Sequence, residues 1–265
     1  MVVNASNTRP TPHVFDRLIA KAARLLARGV YRSVEVSNPA PGWSDYPALI
    51  VANHPTGFSD PALLLGLLGR SPRFLAKSTL WKTPGVGWFL DRIGAIPVYR
   101  SQDGSTSRND EMFAAVYDAL GDGETVALFP EGEVHDEPSL GPVKTGAARI
   151  AIGARAAGAE GLRIVPIGIH LEEKAAIRSR AFVEVGAIID LDAEVDSLVG
   201  DTQPTPEDHH AVHLLTNEIA ERLGRVTPEF DDVAEQDALS FAAEVAIREP
   251  VGPRHVSYAD RQRVA

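Results

Sequence analysis

The stretch Ala48-Leu-Ile-Val-Ala-Asn-His-Pro-Thr-Gly-Phe-Ser-Asp-Pro-Ala-Leu-Leu-Leu-Gly-Leu-Leu68 decides the fold. Its first five residues are apolar and partly β-branched, the pattern of an interior strand. Pro55, Gly57 and Ser59 then interrupt the extended run. Asp60 and Pro61 supply an N-cap and a first-turn proline for a helix over 62–68. A strand therefore delivers Asn53 and His54 to its carboxyl end, and a tight turn sets His54 across from Asp60. A carboxylate in that place fixes the imidazole tautomer and stabilises its cation, while the other ring nitrogen accepts a substrate proton. The same residues also suit a loop tied down by its own side chains, so the choice rests on the rest of the chain.

Working outward, short apolar runs predict strands over 33–37, 73–76, 95–99, 125–129, 163–169 and 182–189. Periodic segments predict helices over 13–31, 108–120, 145–157, 207–223 and 231–248. Pro39 to Pro47 reads as a loop, and Trp81 to Asp91 as an aromatic, glycine-rich segment able to shape a groove. Strands alternating with helices predict an α/β single domain with a mostly parallel or mixed central sheet flanked by helices, preceded by an amphipathic N-terminal helix. The expected division is a basic helix over 1–33, a core over 34–200 and an acidic helical extension over 201–265.

The 265 residues suffice for one substantial core. Cysteine is absent, which excludes disulfides, thiolate metal sites and a cysteine nucleophile. No apolar run is long enough for a membrane span or a signal-peptide core. The formal net charge of -10 argues against nucleic-acid binding, yet the N-terminus is basic. Arg17, Lys21, Arg24, Arg28 and Arg32 recur at three- and four-residue intervals, and Phe15, Leu18, Ile19, Ala22, Leu25, Leu26 and Val30 line another face. Such a helix either lies on an anionic membrane or packs on the core with a solvated basic face. Peripheral attachment at the inner face of the cell membrane, in the cytoplasm, is the expectation. His209, His210 and His213 lack the glutamate and third ligand of a zinc helix, and no metal or other cofactor is expected. Asp190-Leu-Asp192 reads as a turn after a strand.

Three more segments follow the first, each at a predicted strand end, where open α/β sheets bind ligands: Gly94-Ala-Ile-Pro-Val-Tyr-Arg100, Phe129-Pro-Glu-Gly132 and Ile164-Val-Pro-Ile-Gly-Ile-His170. In this order and spacing, the four segments resemble the glycerolipid acyltransferase superfamily. The resemblance implies fatty acyl transfer from acyl-CoA or acyl carrier protein to a glycerol phosphate or lysophospholipid. It implies a catalytic pair, His54 and Asp60, and acceptor-phosphate binding by Arg100 and by Glu131 and Gly132. Pro166 would fall on the acyl-donor side.

Two features depart from the common family pattern. Five residues separate His54 from Asp60 where the usual spacing leaves four, and Val134 stands where many lysophosphatidate acyltransferases have arginine. Together with His135, Pro138 and the run from Lys144 to Arg149, these features look more like the glycerol 3-phosphate and dihydroxyacetone phosphate branch. Lys144 and Arg149 are candidates for the positive charge missing at Val134. Glycerol 3-phosphate is the favoured acceptor and lysophosphatidate the alternative. A lipid or thioester hydrolase and a noncatalytic membrane-lipid binding protein are the rival classes.

Overall fold

The structure is a computed structural model describing residues 13–37, 47–57, 59–68, 71–99, 109–174, 176–200, 203–251 and 257–264. Its strands are β1 (Tyr31–Ser37), β2 (Ala48–Ala52), β3 (Arg73–Lys77), β4 (Ile96–Val98), β5 (Thr125–Leu128), β6 (Arg163–Leu171), β7 (Ser179–Val185) and β8 (Ile189–Asp190). They form one sheet in the order β1-β7-β6-β2-β5-β3-β4, with β8 also on β6. The sheet is mixed, as expected: β7 and β8 run antiparallel to β6, and the remaining pairs are parallel.

The helices are α1 (His13–Val30), α2 (Ser59–Leu68), α3 (Val86–Arg92), α4 (Asn109–Gly121), α5 (Gly146–Ala156), α6 (Leu191–Val199), α7 (His209–Gly224), α8 (Val233–Val251) and α9 (Tyr258–Val264). Strand β2 shows why helices cover both faces. All five of its residues are buried, and its side chains alternate between two cores. Leu49 and Val51 join the apolar cluster beneath α4, α5 and α7, while Ala48, Ile50 and Ala52 join the one beneath α1 and α2. Helix α7 contributes Ala211, Val212, Leu215 and Ile219 to the first of these clusters, so it is part of the central packing. The segment after α7 seats directly on β6, because a Cβ at Gly168 would lie 1.5 Å from the Val226 carbonyl oxygen.

Two local expectations are corrected, and one further helix is found. Asp190 is not merely a turn residue: its side chain accepts the Ala193 N–H and caps α6, and Glu194 reaches back to the Asp190 N–H. The polar stretch near the C-terminus contains α9, whose first N–H groups, on Tyr258 and Ala259, are bound by the Glu35 carboxylate at 2.9 Å each. The strand expected over 182–189 begins earlier and splits at Gly186, where an added Cβ would stand 3.2 to 3.4 Å from Val226 and Pro166.

Helix α1 has three faces. Ala20, Ala23 and Ala27 are buried against α2, an approach so close that the Arg24 backbone lies within contact of a Cβ at Gly66. On the opposite side Leu18, Leu25 and Leu26 are 58%, 67% and 48% exposed. Lys21 and Arg28, also exposed, lie between these two faces. The helix passes into β1 without a loop, Val30 being followed directly by Tyr31.

Candidate active site

Strands β2 and β5 are parallel neighbours, Val51 opposite Leu128, so the residues just past their carboxyl ends meet. From β2 come Asn53 and His54; from β5 come Phe129, Pro130 and Glu131. Strand β6 flanks β2 on the other side and runs further. Asn53 ties the two together, its amide donating to the Ile169 carbonyl at 3.0 Å and accepting the Ile169 N–H at 2.7 Å.

His54 is held from three directions. Its backbone N–H donates to Glu131 Oε1 at 2.7 Å. Its ring lies flat on Phe129, centroids 3.9 Å apart and planes 9° from parallel. Its Nδ1 donates to Asp60 Oδ2 at 2.9 Å. That hydrogen bond places the proton of the neutral imidazole on Nδ1, so Nε2 carries the lone pair.

Asp60 is fully buried. It lies inside the first turn of α2, which starts at Ser59, rather than capping the helix as expected. Its carboxylate faces back across the loop, where Oδ2 also accepts the Thr56 and Gly57 N–H groups at 3.0 Å each and Oδ1 accepts the Thr56 hydroxyl. Four donors thus compensate the burial. The five-residue spacing holds a turn whose own N–H groups, on Thr56 and Gly57, point at the carboxylate.

Glu131 is buried too, with both oxygens engaged: Oε1 by His54, and Oε2 by the His135 ring and by the Gly141 N–H at 2.8 Å. The carboxylate therefore braces the loop that carries His54. Gly132 has φ 76°, a conformation that favours glycine, and Lys144 Nζ lies beside it, 2.8 Å from where a Cβ would stand.

A cleft lined by His54, Glu131, His135, Ile169, Lys174 and Gln236 opens over this group. Of the sequence candidates, His54, Asp60 and Glu131 are joined by hydrogen bonds, and Gly132 and Lys144 stand beside them. Lys144 is 58% exposed, 3.8 Å from Glu133. Arg149 lies over the Phe113 ring, 5.1 Å from its centroid, between α4 and α5. Pro166 is buried within β6 opposite Val51. Arg100 lies outside the described residues.

Sequence reasoning missed Lys174, whose ammonium donates to the carbonyls of His135, Asp136 and Glu137 at 3.4, 3.1 and 3.0 Å. Burial lowers its pKa from the ordinary lysine value, opposed by the charges of Asp136, Glu131, Asp60 and Glu137. No local pattern marks it, since its partners lie almost forty residues earlier in the chain. His170, at the end of the fourth segment, is a packing residue: burial lowers its pKa, and it bonds the Val226 carbonyl at 2.8 Å. Among the described residues, no cluster of histidine, cysteine and carboxylates could hold a metal ion.

The Acyltransferase family model matches residues 33–170, which include the carboxyl ends of β2 and β5 with His54, Asp60 and Glu131. Glycerol-3-phosphate O-acyltransferase 2 of Saccharomyces cerevisiae is 36% identical over 127 residues, 46% of this chain and 16% of that protein. A chloroplastic 1-acyl-sn-glycerol-3-phosphate acyltransferase of Brassica napus is 32% identical over 124 residues, 47% of this chain and 33% of that protein. The chain thus matches a third or less of the length of these relatives. The crystal structure of the 1-acyl-sn-glycerophosphate acyltransferase of Thermotoga maritima has the same fold, with a TM-score of 0.55 over 80% of this chain and 76% of that one, at 20% identity. With just over half of its length matched by the family, and with the paired histidine and aspartate at the sheet's carboxyl edge, the chain belongs to the acyltransferase family.

Proposed function

We propose that the protein transfers a fatty acyl group from an acyl thioester, acyl-CoA or acyl carrier protein, to a hydroxyl of a glycerol phosphate, with glycerol 3-phosphate favoured over lysophosphatidate. The observation that carries this reading is the geometry of His54. A ring pinned through Nδ1 to a buried aspartate, clamped on Phe129 and fixed at its backbone can only use Nε2 as a base.

The steps follow from that geometry. Nε2 takes the proton of the acceptor hydroxyl as its oxygen attacks the thioester carbonyl carbon. Asp60 stabilises the imidazolium so formed. The tetrahedral adduct collapses, the C–S bond breaks, and the imidazolium returns its proton to the departing thiolate. Ester and free thiol leave, and no acyl-enzyme forms. Gly132 and Lys144 supply acceptor-phosphate contacts beside the cleft, with Arg100 and Arg149 as the further cations of this reading, and Pro166 marks the acyl-donor side.

The test offers palmitoyl-CoA with glycerol 3-phosphate and with lysophosphatidate in parallel, following free thiol and lipid product by mass spectrometry. Acylated glycerol phosphate in excess of free fatty acid is the expected result. Product with lysophosphatidate alone would reverse the acceptor preference, and free acid alone would indicate a hydrolase.

The same reading places the enzyme on an anionic membrane through α1, at the inner face of the cell membrane. Among the described residues no helix is long and apolar enough to cross a membrane. The leucine face of α1, directly opposite its alanine contact with α2 and flanked by Lys21 and Arg28, has the chemistry of an interfacial helix. Replacing Leu18, Leu25 and Leu26 together by serine is expected to weaken sedimentation with phosphatidylserine-containing vesicles by at least about tenfold, since each buried leucine contributes about 1.5–3 kcal/mol. Unchanged sedimentation by a folded triple variant would contradict membrane attachment through this face.

A further inference from the structure

Tyr31 is a buried phenol that the mechanism above leaves unused. Its hydroxyl donates to Ser59 Oγ at 2.9 Å. Ser59 Oγ lies 2.5 Å from Thr56 Oγ1, and Thr56 Oγ1 donates to Asp60 Oδ1. The direction of every proton follows from the far end. A carboxylate only accepts, so the single hydroxyl proton of Thr56 goes to Asp60. Ser59 must then donate to Thr56, which leaves the Ser59 oxygen to accept from Tyr31. Three hydroxyls point the same way toward one carboxylate oxygen, an arrangement in which each bond polarises the next.

The other carboxylate oxygen serves His54. Fixing Oδ1 therefore fixes the orientation of Oδ2 and, through it, the imidazole plane. We propose that Tyr31 is a positioning residue for the His54–Asp60 pair, acting through Ser59 and Thr56. Tyr31 is also the first residue after α1, so the helix proposed to meet the membrane and the carboxylate of the active site are joined by three side chains. Burial raises the Tyr31 pKa above the ordinary phenol value, the Ser59 hydrogen bond offsets this in part, and the Asp60 charge adds to the rise; the net upward shift keeps the phenol a donor.

This inference rests on the acyl-transfer reading, and its test separates the two. Tyr31→Phe removes only the hydroxyl. The expected result is a fall in kcat of about tenfold, with KM for both substrates within about twofold of wild type and vesicle binding unchanged, because the chain of donors orients a base and touches neither substrate. Ser59→Ala breaks the same chain one link nearer and should give the same fall; the double variant should be no worse than either single one. In nitrogen-proton NMR spectra, which need no turnover, Tyr31→Phe should move the His54 ring signals and leave those of His170 in place. Wild-type kcat with unmoved His54 signals would overturn the proposal, as would a rise in KM without loss of kcat. If Tyr31→Phe does not fold, Ser59→Ala decides by the same readouts. A fully active His54→Ala protein would overturn the acyl-transfer reading itself, whereas an inactive His54→Ala beside a fully active Tyr31→Phe would remove only this inference.

Discussion

Replacement of His54 by alanine is expected to lower kcat by about 10²–10⁴-fold, the usual contribution of a positioned general base. The loss should fall on kcat more than on KM, because the ring acts when the acceptor proton is in flight and supplies little ground-state binding. The backbone hydrogen bond to Glu131 survives the substitution, so the loop keeps its brace. What is lost structurally is one face of the stack on Phe129 and one donor to Asp60, which predicts a cost of about 1–3 kcal/mol. Free-thiol release from palmitoyl-CoA, with a thermal melt on the same preparation, checks both parts. A folded variant with wild-type turnover would show that His54 is not the base.

Asp60→Ala should be the more damaging change to the molecule. Asp60 is fully buried and receives the His54 ring, two backbone N–H groups and the Thr56 hydroxyl. Alanine leaves all four donors without their acceptor, with an expected loss of about 3–5 kcal/mol from several unsatisfied buried donors. Asp60→Asn separates stability from chemistry. The amide keeps the shape and one oxygen, but its NH₂ group confronts a donor and it cannot stabilise an imidazolium. That variant is expected to fold, with kcat reduced by about 10²–10⁴-fold. Denaturant unfolding and steady-state kinetics on the two variants provide the comparison; an Asp60→Asn protein with full activity would mean that Asp60 is only a loop anchor.

The central sheet and the facing of His54 and Asp60 across their loop could be read from the sequence because both rest on local signals. Short apolar runs at strand length placed β2, β5 and β6, and the prolines soon after the first two, Pro55 and Pro130, put His54 and Glu131 at their ends. What escaped depends on distance or on tertiary approach. Helix α9 has too few apolar residues to announce itself, and it is organised by Glu35, which lies 223 positions before Tyr258. Lys174, Tyr31 and Asn53 matter through partners that the chain brings to them only after folding. The amphipathic character of α1 was plain, but not which face is buried. Close packing on α2 selects the narrow alanine stripe and leaves the larger leucines outside, a choice set by interhelical distance rather than by hydrophobicity. The N-cap assignment of Asp60 failed for a related reason: its carboxylate meets the same loop N–H groups that a cap would, but from inside the helix, where it can also reach His54.

The parallel pairing of β1 with β7 has a consequence for how the protein is made. Tyr31 lies opposite Ser179, so β1 leaves the ribosome 148 residues before its sheet neighbour among the described residues. At about 5–20 residues per second, that interval lasts roughly 7–30 seconds. Helix α2, by contrast, follows α1 closely enough to cover its alanines early. The leucine face of α1 is thus translated while most of the sheet is still to come, and under the proposed membrane attachment the nascent chain would reach a lipid surface before it has an active site to deliver there.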